Sequence, residues 1–231
     1  MNRKKLVNNI IFALFTFFST YSFTQEPIQK IVALSSTDLL GVRQDVVIAQ
    51  KIVKLLWKKK ELRRNVLVLL APLFKLIFDQ KISIEQLITN YPSLVPYKAK
   101  LYKLLSQETP ITGIAELITD LKRQGVFLVL ANDSSTDLLA YNKQKKPELY
   151  NLFHAIYQRE QDDKSTVSYY KNLRSFINQT ASTTHATELL YVDSAKSHID
   201  AAYKTDLNIA PLLFVSTNQL KDELVKKGYL V

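Results

Sequence analysis

The sequence contains no cysteine and only four glycines, Gly41, Gly113, Gly125 and Gly228. Without thiols there is no disulfide framework and no cysteine zinc site, and the chain suits an oxidising compartment because it cannot mispair there. No glycine flanks a serine in Gly-x-Ser-x-Gly spacing, which excludes a nucleophile elbow of that type. The three histidines, His154, His185 and His198, are widely separated and show no metal-ligand spacing. Internal repeats and low-complexity tracts are absent as well.

What is present is ordinary for a folded chain: 231 residues, 47% hydrophobic and 23% charged, enough for one substantial α/β domain with a small insertion. The formal charge is +10, and no single block accounts for it. The densest run, "KKKELRR" at Lys58 to Arg64, reads as a solvated face at a helix end or as a patch attracted to anionic lipid. No zinc spacing, base-reading helix or aromatic-and-basic motif accompanies it, so no nucleic-acid partner is expected.

The first residues have the layout of a secretory signal. "MNRKK" is basic, "LVNNIIFALFTFFSTYSF" is mostly apolar and "TQEP" is a polar exit. Residues 1–24 are therefore expected to be a signal peptide, and the folded part to be exported (secreted or periplasmic); the alternative is an uncleaved N-terminal membrane anchor.

Downstream, buried-type strands alternate with helical segments: Lys30 to Leu34, Val126 to Ala131, His154 to Gln158, Glu188 to Val192 and Leu212 to Val215. Three of them run into polar clusters, "SST", "NDSS" and "DSAKS". Apolar runs of this kind predict a parallel, Rossmann-like sheet, and its ligands sit at the carboxyl ends of the strands. Between the first two strands lie about eighty residues without a convincing strand. Ile48, Ile52, Leu55 and Leu56 follow helical spacing, Leu62 to Phe78 is apolar nearly all round with Pro72 expected to kink or divide it, and Ser83 with Gln86 has capping-box spacing. The expectation is a helical insertion over residues 43–106, set into a core formed by 28–42 and 107–231.

The order of these pieces resembles the haloacid dehalogenase (HAD) superfamily, in its members with a helical cap after the first strand. "IVALSSTDLLGV" is similar to the first motif, a strand followed by Asp-x-Asp, and "ETPITGIAELITDLKRQGVFLVLAND" to the second. "DDKSTVSYYKNL" resembles the third motif, a lysine before a helix, and "ATELLYVDSAKSHIDAAYKTDL" the fourth, a strand ending in acids.

Carried over residue by residue, the resemblance puts Ser35 in place of the nucleophilic Asp and Thr37 in place of the acid/base Asp. Ala131 stands where a hydroxyl residue would hold phosphate, followed by Asn132 as in the family; Lys164 matches the charge-neutralising lysine, and Asp193 the first metal-binding acid. Ser194 replaces the second acid, and His198 stands where the family often has Asn. A serine needs an adjacent base to attack, and a threonine cannot act as a carboxylic acid. The reading is an exported HAD-like protein without phosphohydrolase activity, needing no cofactor. It would bind a ligand, such as a small anion, or a protein partner through Ser35, Thr37, Asn132, Lys164, Asp193 and Ser194. The alternative is an active hydrolase with displaced acids, in which Asp38 and Asp193 hold magnesium beside Lys164. A third reading has the basic insertion contacting a membrane.

Overall fold

The computed structural model describes residues 30–36, 41–43, 45–58, 66–74, 76–77, 83–106, 108–132, 134–158, 163–181 and 187–231. The expected signal peptide lies outside these residues, as do Thr37, Asp38 and His185.

Five strands, β1 (Ile31–Ser35), β4 (Phe127–Asn132), β5 (Ala155–Gln158), β6 (Leu189–Asp193) and β7 (Ile209–Leu213), form one sheet in the order β5-β4-β1-β6-β7. Every pairing in it is parallel. Alternation along the strands assigns residues to two faces. Val32, Leu34, Leu128, Leu130, Leu190 and Val192 pack beneath α5 (Ile114–Arg123) and α10 (Thr217–Lys226). Ile31, Ala33, Val129, Ala131, Leu189 and Tyr191 pack beneath α8 (Val167–Thr180) and α9 (Lys196–Tyr203). Because both faces are covered, β1 is buried along its whole length, which is why its sequence reads as a continuous apolar run rather than an alternating one.

Between β1 and β4 the chain forms a helical cap. It contains α1 (Asp45–Lys58), α2 (Val66–Phe74), α3 (Ile84–Asn90), a 3₁₀ segment (Pro92–Tyr97) and α4 (Lys98–Leu105). Its own core joins Ile48, Ile52, Leu56, Leu73, Leu87 and Leu101, and Leu138 from α6 (Thr136–Lys145) ties it to the sheet domain. The capping box forms as its spacing predicts: Ser83 Oγ accepts from the Gln86 amide at 3.0 Å, and Gln86 Oε1 accepts from the Ser83 amide at 3.0 Å.

Three details differ from the sequence reading. A two-stranded antiparallel sheet, β2 (Gly41–Arg43) with β3 (Glu108–Pro110), joins the two ends of the inserted segment where no strand is expected. Three residues per strand are too few to show a period. The last strand begins three residues early and takes in Pro211. It is an edge strand, so a missing N–H on its outer side breaks no ladder bond. Finally, α2 runs through Pro72 without a break.

Candidate functional site

Ser35, Asn132 and Asp193 are the last residues of β1, β4 and β6, three adjacent strands, and all three side chains are buried. Lys164 reaches them from the turn before α8. That turn is built by Asp163, whose Oδ1 accepts from the Ser165 amide and from Ser165 Oγ at 2.9 Å each. From there the Lys164 ammonium enters the end of the sheet, where it is 1% exposed. Its Nζ donates to Ser35 Oγ at 2.8 Å, lies 3.4 Å from the Ala131 carbonyl and is 3.6 Å from Asp193 Oδ2. Ala131, placed where the family has a hydroxyl, contributes through its backbone alone: its carbonyl also accepts from the Ser36 amide at 3.0 Å.

Asp193 is saturated by its neighbours. Oδ2 accepts from the Tyr191 hydroxyl at 2.6 Å, faces His198 Nδ1 at 3.1 Å and faces Lys164; Oδ1 accepts from the Ala195 amide at 2.9 Å. Burial by itself would raise the carboxyl pKa. The His198 hydrogen bond, the Lys164 charge and the Tyr191 hydroxyl outweigh it and hold Asp193 well below the usual carboxylate range. The same burial, with Asp193 alongside, pushes the Tyr191 phenol well above its ordinary value. His198 is fixed from the other side, since its carbonyl accepts from the Tyr170 hydroxyl at 2.6 Å.

A second network lies at the end of β4. Asn132 Nδ2 donates to Gln158 Oε1 at 2.8 Å and to the Ser134 carbonyl at 2.9 Å, Ser134 Oγ donates back to Asn132 Oδ1 at 3.0 Å, and Gln158 Nε2 donates to the Ser134 carbonyl at 2.7 Å. Asn132 is thus engaged by its own loop and by the neighbouring strand β5. Ser194 is half-buried at the rim, on a cleft of about 730 Å³ also lined by Phe214, Val215, Ser216 and Thr217. The structure therefore brings Ser35, Lys164 and Asp193 into one cluster, with Asn132 and Ser194 at neighbouring strand ends.

Sequence reasoning overlooked Tyr191, Ser134 and Gln158. Tyr191 could have been found, because it precedes Asp193 by two positions in a strand and so shares its face. Gln158 carries no such signal; only the register Asn132↔Gln158 pairs it with the site.

Among the described residues, Ser35 Oγ meets no base. The described partner of Ser35 Oγ is an ammonium that donates to it, and an alcohol becomes a nucleophile only when a base removes its proton. The donor set also fits magnesium poorly. Among the described residues no three His, Asp or Glu side chains converge, and the one carboxylate present spends both oxygens on hydrogen bonds within the protein.

A parallel sheet of this order, a helical cap inserted after β1, and polar residues gathered at the ends of β1, β4 and β6 together define a haloacid-dehalogenase-like fold. Solved structures agree. L-2-haloacid dehalogenase from Xanthobacter autotrophicus, with chloropropionic acid covalently bound, superposes with a TM-score of 0.51 at 18% identity, covering 87% of this chain and 84% of that one. A hydrolase from Streptococcus pneumoniae TIGR4 gives 0.51 at 13% identity, covering 86% and 99%. A HAD-superfamily hydrolase from Ehrlichia chaffeensis gives 0.50 at 13%, covering 85% and 96%. No family model matches the sequence, and no curated protein matches it. At these identities the likeness is one of fold.

Proposed function

We propose that this chain uses the HAD-like scaffold for binding and not for hydrolysis. The observation that carries the reading is the Ser35–Lys164 contact of 2.8 Å, a neutral alcohol held by a buried ammonium at the position where the family resemblance implies an attacking carboxylate. The Asp193 charge is likewise spent on Lys164, Tyr191 and His198. The ligand class proposed is a small anion held in the cleft at Ser194, Ser216 and Thr217, or a protein surface presenting one. Nothing in this role calls for a cofactor. We further propose that the protein works outside the cytoplasm, on the strength of the signal-like residues 1–24.

The test is turnover by purified protein with magnesium, using a generic phosphomonoester and, separately, chloropropionic acid, the compound named in the Xanthobacter structure. No product above background is expected from either. Turnover that Asp193→Asn abolishes would overturn the reading in favour of a hydrolase with displaced acids. Calorimetric titration with inorganic phosphate then separates the two ligand classes: binding supports a small anion, and its absence leaves the protein partner.

A further inference from the structure

The positive charge of this protein belongs to its cap. Residues 43–106 hold thirteen Lys and Arg against four Asp and Glu, a net +9, whereas residues 107–231 hold fourteen against fifteen. The surplus that looks dispersed along the sequence is therefore concentrated in the inserted segment, residues 43–106.

The cap also exposes large apolar side chains among its described residues. On α1, residues 46, 47, 50, 51, 54, 57 and 58 form one continuous exposed stripe at helical spacing. It carries Val46 (64% exposed), Val47 and Trp57 (57%), interleaved with Lys51, Lys54 and Lys58. On the neighbouring α2, Val68 and Phe74 are exposed as well, at 60% and 45%. The opposite face of α1, through Ile48, Ile52 and Leu56, is already committed to the cap core.

We infer that this face of the cap docks on an anionic lipid surface. Such a surface accepts both halves of the stripe at once: Val and Trp enter the boundary between headgroups and acyl chains, while lysines lay their stems along it and keep their ammonium groups among the phosphates. Each Lys near an anionic leaflet adds attraction, and the cap's net charge supplies it in excess. A second copy of the chain is a poor occupant, because an isologous contact would set one +9 cap against another. Nucleic acid would satisfy the lysines but offers nothing to Val46 and Val47. The inference is independent of the proposed core function.

Trp57 is the only tryptophan in the chain, so its fluorescence reports on this face and not on the apolar N-terminal residues. Full-length protein titrated with phosphatidylglycerol/phosphatidylcholine vesicles should show a blue-shifted Trp57 emission, weakened by salt and absent with pure phosphatidylcholine. Lys54→Glu/Lys58→Glu should lower the apparent vesicle affinity by on the order of tenfold or more. The charge-matched control Lys171→Glu/Lys221→Glu, on α8 and α10, should leave it unchanged. The inference is overturned by an absent shift, by a shift that Lys54→Glu/Lys58→Glu leaves intact, or by an equal loss in the control. A Trp57 response to rising protein concentration alone would assign the face to a second copy, and a response to duplex DNA or RNA without vesicles would assign it to nucleic acid; either overturns it too.

Discussion

The Nζ of Lys164 donates to Ser35 Oγ at 2.8 Å across 129 residues of sequence, in a site where both side chains are essentially inaccessible to water. An ammonium so placed must be balanced, and Asp193 balances it at 3.6 Å. The pair that the family resemblance assigns to phosphate and metal is turned inward, holding together the ends of β1, β4 and β6.

Removing one partner should therefore be costly. Asp193→Asn leaves a buried ammonium without its counter-charge and is expected to destabilise the fold by about 3–5 kcal/mol. Lys164→Met/Asp193→Asn should recover part of that loss, as read by urea denaturation of the two single variants and the double. Additive losses would mean that the two side chains contribute separately. Because the folded Asp193 carboxyl lies well below its ordinary value of 3.8, its contribution is complete above that pH and lost as pH falls beneath it. Asp193→Asn should accordingly flatten the acid limb of the stability profile.

Restoring the family's acids should restore affinity for a metal. Ser35→Asp/Thr37→Asp would place a carboxylate at the end of β1 beside Asp193, where Lys164 now meets an alcohol. Calorimetry should detect magnesium binding in the double variant at concentrations where the native protein shows none. Tight binding by the native protein would mean that the first motif has been placed wrongly.

Much of this arrangement was legible in the sequence because its causes are local. A strand buried on both faces shows itself as an apolar run, and the polar residues Ser35, Asn132 and Asp193 punctuate three such runs. Ser83 and Gln86 announce a helix start by spacing alone. What remained hidden depends on partners distant in sequence. The pairing of Arg43 with Glu108 requires the whole cap to bring them together, and Gln158 meets Asn132 only through strand register. Pro211 sits inside a strand because that strand is an edge, which topology decides. The cap's charge could have been counted from the sequence, but it gains meaning only once the insertion is seen as a separate packed unit.

The capping box at Ser83 offers a local test of the cap. Ser83→Ala removes the acceptor for the Gln86 amide and is expected to cost about 1 kcal/mol. Ser83→Asp should retain most of the stability, since a carboxylate caps the same amide and favours the positive end of the helix. Thermal denaturation of the three proteins checks the order.

His154 supplies a pH dependence near neutrality. Its Nδ1 accepts from the Leu128 amide at 3.0 Å, while its ring stacks on Phe127 with centroids 5.0 Å apart. Only the neutral ring can accept that bond, and burial, assisted by the Lys122 charge, lowers its pKa from the ordinary 6.5. The unfolded chain therefore takes up a proton before the folded one does. Stability from this residue is full above about pH 6.5 and falls as pH drops through the folded value. His154→Asn keeps an acceptor where Nδ1 lies but has no proton to gain in this range. Denaturation midpoints between pH 5 and 7 should decline for the native protein and stay level for the variant; parallel curves would place the titrating group elsewhere.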